Sequence, residues 1–570
     1  MDIQRLILFF VFSFSLLLLW TEWEKTQRPK PVPVSASAQP SGNAKAVPAG
    51  GVPTPAGSVP TPAGGVPTPA RDLNAAAVPA AAPTPAAAKS EIVRVRTDLL
   101  VADIDSLGGG LVRLELVKHK ETNDETKNFV LLGPEHQYYA QSGLTGDSGP
   151  NHRTQWRVLP GERALTEGKN AVELRLSADG KDGVTVEKVY TFRRDSYLID
   201  VALEIRNGGS APVAPHAYFQ LTHDGKQPTG GSSLAQSFGA QSFNGFAQYT
   251  EEKKFEKMQY SDIDKGKVDH VARASDGWIA FVQHYFVAAW VPVVSGIRDF
   301  VVEKRPDGAY TGRLVMPVPE IAPGATAKVV APLYAGPQEQ RRLKEVTPGF
   351  DLVVDYGWLT IIAWPLFWLL EKYHSIAGNW GVAIILLTMT IKLVFFPLSA
   401  ASYKSMAKMK LVTPRLTKIR EMYANDRARQ NQAMMELYKT EKINPLGGCF
   451  PILVQIPVFI ALYWVLLAAI ELRHAPFILW IHDLSALDPY YVLPVLMAIT
   501  MVVQTKLNPV PPDPIQAKVM QFMPYVFSIF FFFFPAGLVL YWLINNILSI
   551  AQQWQIQRMF ERDKPAHGKR

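Results

Sequence analysis

Residues Asn379 to Ala401 read N-W-G-V-A-I-I-L-L-T-M-T-I-K-L-V-F-F-P-L-S-A-A. A helix needs roughly 20 mostly apolar residues to cross a bilayer, so this stretch is long enough to do so. Its single charge, Lys392, stands near the middle of the run. An ammonium at that depth costs on the order of 2.5–3.5 kcal/mol on insertion scales, so a lysine there is expected to face protein or a water-filled cavity. The rest of the chain can be asked what that lysine is for.

With 570 residues, more than one domain is expected. The long uncharged apolar runs fall at the extreme N-terminus or after residue 350. The single cysteine, Cys449, excludes an intramolecular disulfide framework and any multi-thiolate metal site. There is no GxxxxGK[ST] phosphate loop, no HExxH and no GxSxG. Nucleotide hydrolysis and the common hydrolase mechanisms are therefore without a signature, which points away from an enzyme.

Leu6 to Trp20 is an apolar run that either a cleaved signal peptide or an uncleaved anchor would show. No A-x-A site follows it, and Trp20 and Trp23 suit interfacial positions, so residues 1–27 are expected to form a transmembrane signal anchor with a cytoplasmic N-terminus. Residues 28–90 are rich in Pro, Ala and Gly and repeat Val-Pro-Thr-Pro-Ala from Val52, Val59 and Val66. Proline at that density blocks helix and sheet, which predicts a disordered, partly polyproline II linker.

From 91 to 345 the pattern is period two. It appears in Leu111–Val117, Ala171–Leu176, Val184–Phe192, Leu198–Ile205 and Trp278–Val282, with turn signals such as Asn207-Gly-Gly209 and Pro306-Asp-Gly308 between them. So many strands with so little helix predict one large antiparallel β-sandwich, placed outside the cytoplasm by the anchor. His119, His136, His152, His216 and His223 are scattered without ligand spacing and are expected to be ordinary surface or core histidines.

Residues 346–560 are the membrane part. Between Ser402 and Lys442 ten residues are basic (Lys404, Lys408, Lys410, Arg415, Lys418, Arg420, Arg427, Arg429, Lys439, Lys442) and four acidic (Glu421, Asp426, Glu436, Glu441), so 10 − 4 = +6. The positive-inside rule makes this segment, 402–443, cytoplasmic. A single crossing by about 380–400 brings the chain there from the outer face, so 350–373 is expected to lie along the interface as an amphipathic helix. Met406, Met409, Leu416, Ile419 and Tyr423, then Met434 to Tyr438, give helical spacing on either side of Asn425-Asp426, which predicts a helical hairpin with basic faces. Further spans are expected at about 450–470, 490–506, 519–534 and 537–553, the last two separated by Pro535-Ala536-Gly537. The tail 561–570 is basic and cytoplasmic. Thr388 and Lys392 share a helix face four residues apart, as do Gln455 and Phe459 on the next span. With short spans and internal prolines, these groups suggest a partly wet bundle presenting Lys392 as a fixed positive charge. A small-anion transporter or channel built on the lysine, and a tethered periplasmic enzyme whose sandwich binds sugar, are the competing function classes.

Six motifs then carry a resemblance: Asn379-Trp-Gly381; Tyr403-Lys-Ser-Met-Ala-Lys-Met409; Asn444-Pro-Leu-Gly-Gly-Cys-Phe-Pro451; Trp480-Ile-His-Asp-Leu-Ser485; Asp488-Pro-Tyr-Tyr491; and Phe534-Pro-Ala-Gly-Leu-Val-Leu-Tyr541. With them the chain resembles the YidC family of membrane protein insertases in its Gram-negative form, over essentially everything outside the linker. The resemblance implies a membrane α-helical bundle, a signal anchor plus five-helix core, enclosing a hydrophilic groove, with a periplasmic all-β supersandwich. It implies work as an insertase and folding chaperone for newly made inner-membrane proteins, alone or with the Sec translocon. The expected partners are nascent membrane proteins, the translocon and its accessory subunits, the ribosome and signal recognition machinery, and membrane lipids. Neither DNA nor a metal or cofactor is among them. The family's groove charge is an arginine, and the matching position here is Lys392, which keeps the charge but not the bidentate fork. By the same resemblance Thr388, Phe459, Met497, Phe530 and Trp542 would contact substrate, Trp542 standing where the family often has Tyr. The basic hairpin and tail match regions that bind the ribosome and targeting machinery.

Overall fold

In the computed structural model, residues 90–122, 124–146, 149–226, 243–441, 450–508 and 514–562 are described. The expected anchor, all of the linker before Ser90, the end of the hairpin at 442–443, the motif from Asn444 to Cys449 and the tail beyond Arg562 lie outside the described residues.

Alternating side chains bury one face of a strand, and two such sheets bury theirs against each other. One sheet of nine strands runs Ile92–Arg96, Leu100–Asp105, Gly110–Lys120, Tyr139–Leu144, His216–His223, Tyr310–Pro317, Arg298–Lys304 and Arg273–Ala274 in spatial order, with Asn128–Leu132 paired to the third. The other, of ten, runs Lys254–Met258, Gly245–Thr250, Trp278–Val282, Phe286–Trp290, Leu333–Pro337, Leu198–Asn207, Val184–Arg193, Ala171–Asp179 and Arg157–Val158, with Thr326–Val330 added on Leu198–Asn207. Neighbours pair antiparallel, as in Tyr190 opposite Val201 and Leu174 opposite Tyr190. All five strands expected from alternation lie within these elements, and Trp278–Val282 coincides with one. Trp156, Trp278 and Trp290 fill the core. Two short helices, α1 (Tyr260–Asp264) and α2 (Gln340–Val346), decorate the sandwich.

Two buried cations join segments that the sheets alone leave apart. Lys188 Nζ crosses between the sheets to donate to the carbonyls of Gly109 (3.0 Å) and Ser142 (2.9 Å), with the Trp156 ring 4.4 Å away. Arg298 donates to the Gly277 and Val294 carbonyls at 2.8 and 2.6 Å. Burying a charge is tolerable only when its donors are satisfied in this way.

The membrane part begins later than the sequence suggests. Instead of one helix over 350–373, two short 3₁₀ turns at Phe350–Val353 and Gly357–Leu359 precede α3 (Thr360–Ala377). Gly349 and Gly357 adopt φ of 70° and 57°, which interrupts a helix, and Phe350 is held in the sandwich against Trp278. On α3, Ala363, Phe367 and Leu370 are buried, whereas Ile361, Trp364, Trp368 and Ile376 are exposed. The exposed face of α3 is thus apolar and carries two tryptophans.

The remaining helices are α4 (Trp380–Val394), α5 (Phe396–Met422), α6 (Arg427–Thr440), α7 (Phe450–Ala468), α8 (Val492–Leu507), α9 (Pro514–Phe530) and α10 (Ala536–Arg562). Their bounds correct the expected spans. The first span ends at Val394 rather than near 400, where the axis bends by 65° into α5. Pro397 in the first turn of α5 explains the break, since it cannot continue the hydrogen-bond ladder of α4. The last helix runs on to Arg562, carrying Arg558 with it. Among the described residues no single helix is long and apolar enough to cross a membrane, but the bent α4–α5 pair passes that test together. The hairpin forms as expected. Asp426 caps α6 by accepting from the Arg429 N–H at 3.0 Å, and Val412 and Leu416 pack against Met409, Met434, Leu437 and Tyr438.

Several of the quoted motifs prove to be joints. Asn379 caps α4 (Val382 N–H, 3.1 Å) and donates to the Phe477 carbonyl at 2.9 Å. Asp488 caps α8 through the Leu493 N–H (2.7 Å) and accepts from the Trp480 indole (3.0 Å). At the break before α10, the N–H groups of Ala536 and Gly537 bond the carbonyls of Ala486 (2.7 Å) and Leu484 (2.8 Å). The outer loops thus fix where three helices begin.

Candidate functional site

Helix α10 packs against α4, α5, α7 and α8, so whatever polar residues it carries are brought to the middle of the bundle. Asn545 and Ser549 lie four apart on it and face Lys392 of α4 and Gln455 of α7. Lys392 Nζ donates to Ser549 Oγ at 2.7 Å, and Ser549 in turn donates to the Asn545 carbonyl at 2.7 Å. Gln455 Nε2 reaches Asn545 Oδ1 at 3.3 Å, and Asn546 donates to Thr500 of α8 at 2.9 Å. Together they wall a cavity of about 380 Å³, completed by Ser399, Ser402, Tyr403 and Met406 of α5 and by Gln504 and Asn508 at the end of α8.

Lys392 is 6% exposed, and among the described residues no carboxylate forms an ion pair with it. Its partner is a neutral hydroxyl, which leaves two ammonium protons for whatever enters the cavity. The lysine stands in the last turn of α4 rather than in mid-span, because the helix stops at Val394. A cation there is favoured by the negative end of the helix dipole.

Of the expected groove residues, Lys392, Gln455 and Phe459 line the cavity. Thr388 does not: it is buried at the next turn, and its hydroxyl is spent on the Ile384 carbonyl at 2.7 Å. Met497 is buried in the bundle. Trp542 stands beside the cavity, its ring 4.8 Å from Phe459 and 4.4 Å from Phe531, and its buried indole N–H has no hydrogen-bond partner among the described residues. Phe530 lies with Phe527 on α9 and is not part of the cavity wall. Sequence reasoning passed over Asn545, Asn546 and Ser549, which line the cavity. The available signal was their spacing of three and four residues along an otherwise apolar, uncharged run.

Outside the cavity, bulky apolar side chains are exposed: Val495 and Ile499 on α8, Phe522, Tyr525 and Ile529 on α9, Leu393 and Val394 on α4. A polar interior with an apolar exterior is the arrangement of a protein solvated by lipid. On the hairpin, Lys404, Lys410, Arg415, Lys418 and Arg429 are exposed, Lys408 and Arg420 half-buried. Arg415 pairs with Glu441 and Arg429 with Asp426. The Arg427 side chain lies outside the described residues.

Comparison with known proteins places both halves of the chain. Residues 92–369 match the family model of the YidC periplasmic domain, and residues 372–564 that of the 60Kd inner membrane protein. The membrane protein insertase YidC of Aromatoleum aromaticum is 56% identical over 472 residues, which cover 82% of this chain and 85% of that protein. The protein of the same name from Nitrosospira multiformis is 55% identical over 485 residues, 84% of each chain. That of Methylobacillus flagellatus is 56% identical over 476 residues, 83% of this chain and 85% of its own. A sandwich and a helical core that each match their counterpart, at such identity across most of the length, settle the assignment: the chain belongs to the YidC family of membrane protein insertases, bacterial inner membrane proteins with a periplasmic domain.

Proposed function

We propose that this protein integrates newly made polypeptides into the inner membrane by offering their polar flanks the cavity around Lys392 while their apolar segments meet lipid at its mouth. The observation that supports this most is the buried ammonium, which is bonded to a hydroxyl, lies within a polar cavity and, among the described residues, has no carboxylate paired with it. No nucleotide is required. Burial of a 20-residue apolar segment at ~25 cal/mol per Å² is worth tens of kcal/mol gross, so the protein's part is kinetic. It lowers the barrier for moving hydrated groups through a layer that offers them no partners.

Within this reading Lys392, Thr388 and Gln455 form the groove, and Phe459, Met497, Phe530 and Trp542 contact the passing segment. Thr388 takes part only by shaping the α4 face, since its hydroxyl is already bonded. The exposed cations of the hairpin, from Lys404 to Arg429, offer a docking face for the ribosome and the signal recognition machinery. The same clients reach the site alone or beside the Sec translocon. Both termini are cytoplasmic, residues 1–27 anchor the chain and 28–90 tether the sandwich in the periplasm.

Depletion of the protein followed by protease protection of single-span substrates tests the reading. Lys392→Arg should support insertion near the wild-type level, whereas Lys392→Ala should slow insertion of substrates with acidic translocated tails by tenfold or more. Wild-type rates for such substrates with Lys392→Ala would sink the groove-charge mechanism.

A further inference from the structure

At the end of strand His216–His223, three potential metal ligands converge from segments distant in sequence. His136 comes from the short turn Pro134–His136, and His223 and Asp224 from the strand end. Their ligand atoms all lie within 4.8 Å of one another. His136 Nδ1 is 3.7 Å from Asp224 Oδ2, and His223 Nδ1 is 3.5 Å from Asp224 Oδ1. Tetrahedral ligands at ~2.0 Å from a metal stand about 3.3 Å apart, so two of the three separations need only small side-chain rotations to fit.

The backbone holds the two segments in place. The Asp224 N–H donates to the His136 carbonyl at 2.9 Å, and Thr222 Oγ1 donates to the Gln137 carbonyl at 3.2 Å. His223 is 1% exposed, with the Phe281 ring stacked on it at 4.2 Å and Tyr138 edge-on at 5.2 Å. An apolar shell of this kind limits ring rotation and solvent access around a ligand. His136 Nδ1 is itself buried with no hydrogen-bond partner among the described residues, although its ring keeps one side open to solvent. A buried imidazole nitrogen left unsatisfied beside a carboxylate is a group waiting for a donor or a cation. Three features compete with a metal: the Gly225 N–H donates to His223 Nδ1 at 2.9 Å, the Tyr260 hydroxyl lies 3.2 Å from the same nitrogen, and Lys226 Nζ stands 3.6 Å from Asp224. Gly225 and Lys226 follow the strand end and Tyr260 opens a neighbouring helix, and a bound cation would displace all three from the ligand atoms.

We propose that His136, His223 and Asp224 form a zinc site that clamps the turn at Pro134–His136 to the strand end, with water completing the shell. Two imidazoles and one carboxylate suit Zn²⁺, and the small ligand number and the nitrogen donors argue against Mg²⁺ and Ca²⁺.

The test uses the full chain in detergent micelles, purified without a polyhistidine tag and stripped with chelator. Titration with Zn²⁺ against a chromophoric competitor should give one tight site per chain. His136→Ala and Asp224→Asn should each weaken it tenfold or more. Co²⁺ added to the stripped wild type should give the visible absorption of a tetrahedral complex, a readout that needs no variant to fold. No tight Zn²⁺ uptake by the wild type, no such Co²⁺ spectrum, or undiminished affinity in a folded His136→Ala protein each overturns the proposal.

Discussion

Lys392 differs from an arginine in what it asks of its surroundings. A guanidinium fixes two hydrogen bonds in one plane, whereas an ammonium is a compact charge whose three donors rotate freely. Here one donor is held by Ser549, so Ser549→Ala should leave the charge in place but loosen its position. The expected outcome is a severalfold loss of insertion in the protease-protection assay, smaller than that of Lys392→Ala. Equal losses would mean that the hydroxyl matters as much as the charge. Gly381 is the second residue to watch. A Cβ there would collide with the Phe477 ring, whose backbone Asn379 holds. Gly381→Ala should therefore destabilise the start of α4 by roughly 1–3 kcal/mol, read as a lower midpoint in thermal unfolding. The presence of Lys392 in an apolar run was plain in the sequence. Its partner was not, because a serine among apolar residues carries no sign of which helix it will face.

At the scale of elements, caps and breaks explain what periodicity alone missed. The hydropathy of Asn379–Ala401 is continuous, yet the structure bends at Phe395, since hydropathy does not register that Pro397 lacks an N–H. Similarly, the single interfacial helix expected over 350–373 gives way to two glycine-interrupted turns, because Phe350 is claimed by the sandwich core. The hairpin was legible throughout: the helical spacing of its apolar residues and the Asn425-Asp426 break both correspond to packing and a cap. Replacing that cap, Asp426→Ala, should cost about 1 kcal/mol and raise amide exchange in the first turn of α6 without affecting α4. If the hairpin's cations dock the ribosome, reversing Lys404 and Lys418 together should weaken co-sedimentation with ribosomes and make its salt dependence shallower.

For the whole molecule, packed apolar side chains such as Phe350 against Trp278 and a set of polar contacts together join the sandwich to the helical core. Arg473 donates to the Lys120 carbonyl and to Thr122, His284 Nε2 meets the Leu467 carbonyl at 2.9 Å, and Lys257 pairs with Asp355. Deleting residues about 100–330 should leave insertion measurable while raising exchange in the loop around Arg473, and complete loss of insertion would make the sandwich part of the working machine. The sandwich also has a pH limit. Burial holds His119 down at about 4 and His152 at about 3, with the Arg473 charge adding to the effect on His119. The unfolded chain takes up these protons below about pH 6.5, the folded one only near 4 at His119 and near 3 at His152, so their contribution is complete above 6.5 and is lost as pH falls toward 3. Tryptophan fluorescence melts from pH 7 to 4 should show that decline, and His119→Leu should flatten it.

The shortness of the core helices has an electrical meaning. At 1.5 Å per residue, α4, α8 and α9, of 15, 16 and 17 residues, reach only ~22–26 Å, against a hydrocarbon layer of ~30 Å. Where a bilayer thins to match helices of this length, the voltage across it is unchanged, so it falls over a narrower gap and the local field is steeper. A carboxylate carried outward gains ~2.3 kcal/mol per 100 mV wherever it crosses. Over the shorter path that gain is delivered in fewer ångströms.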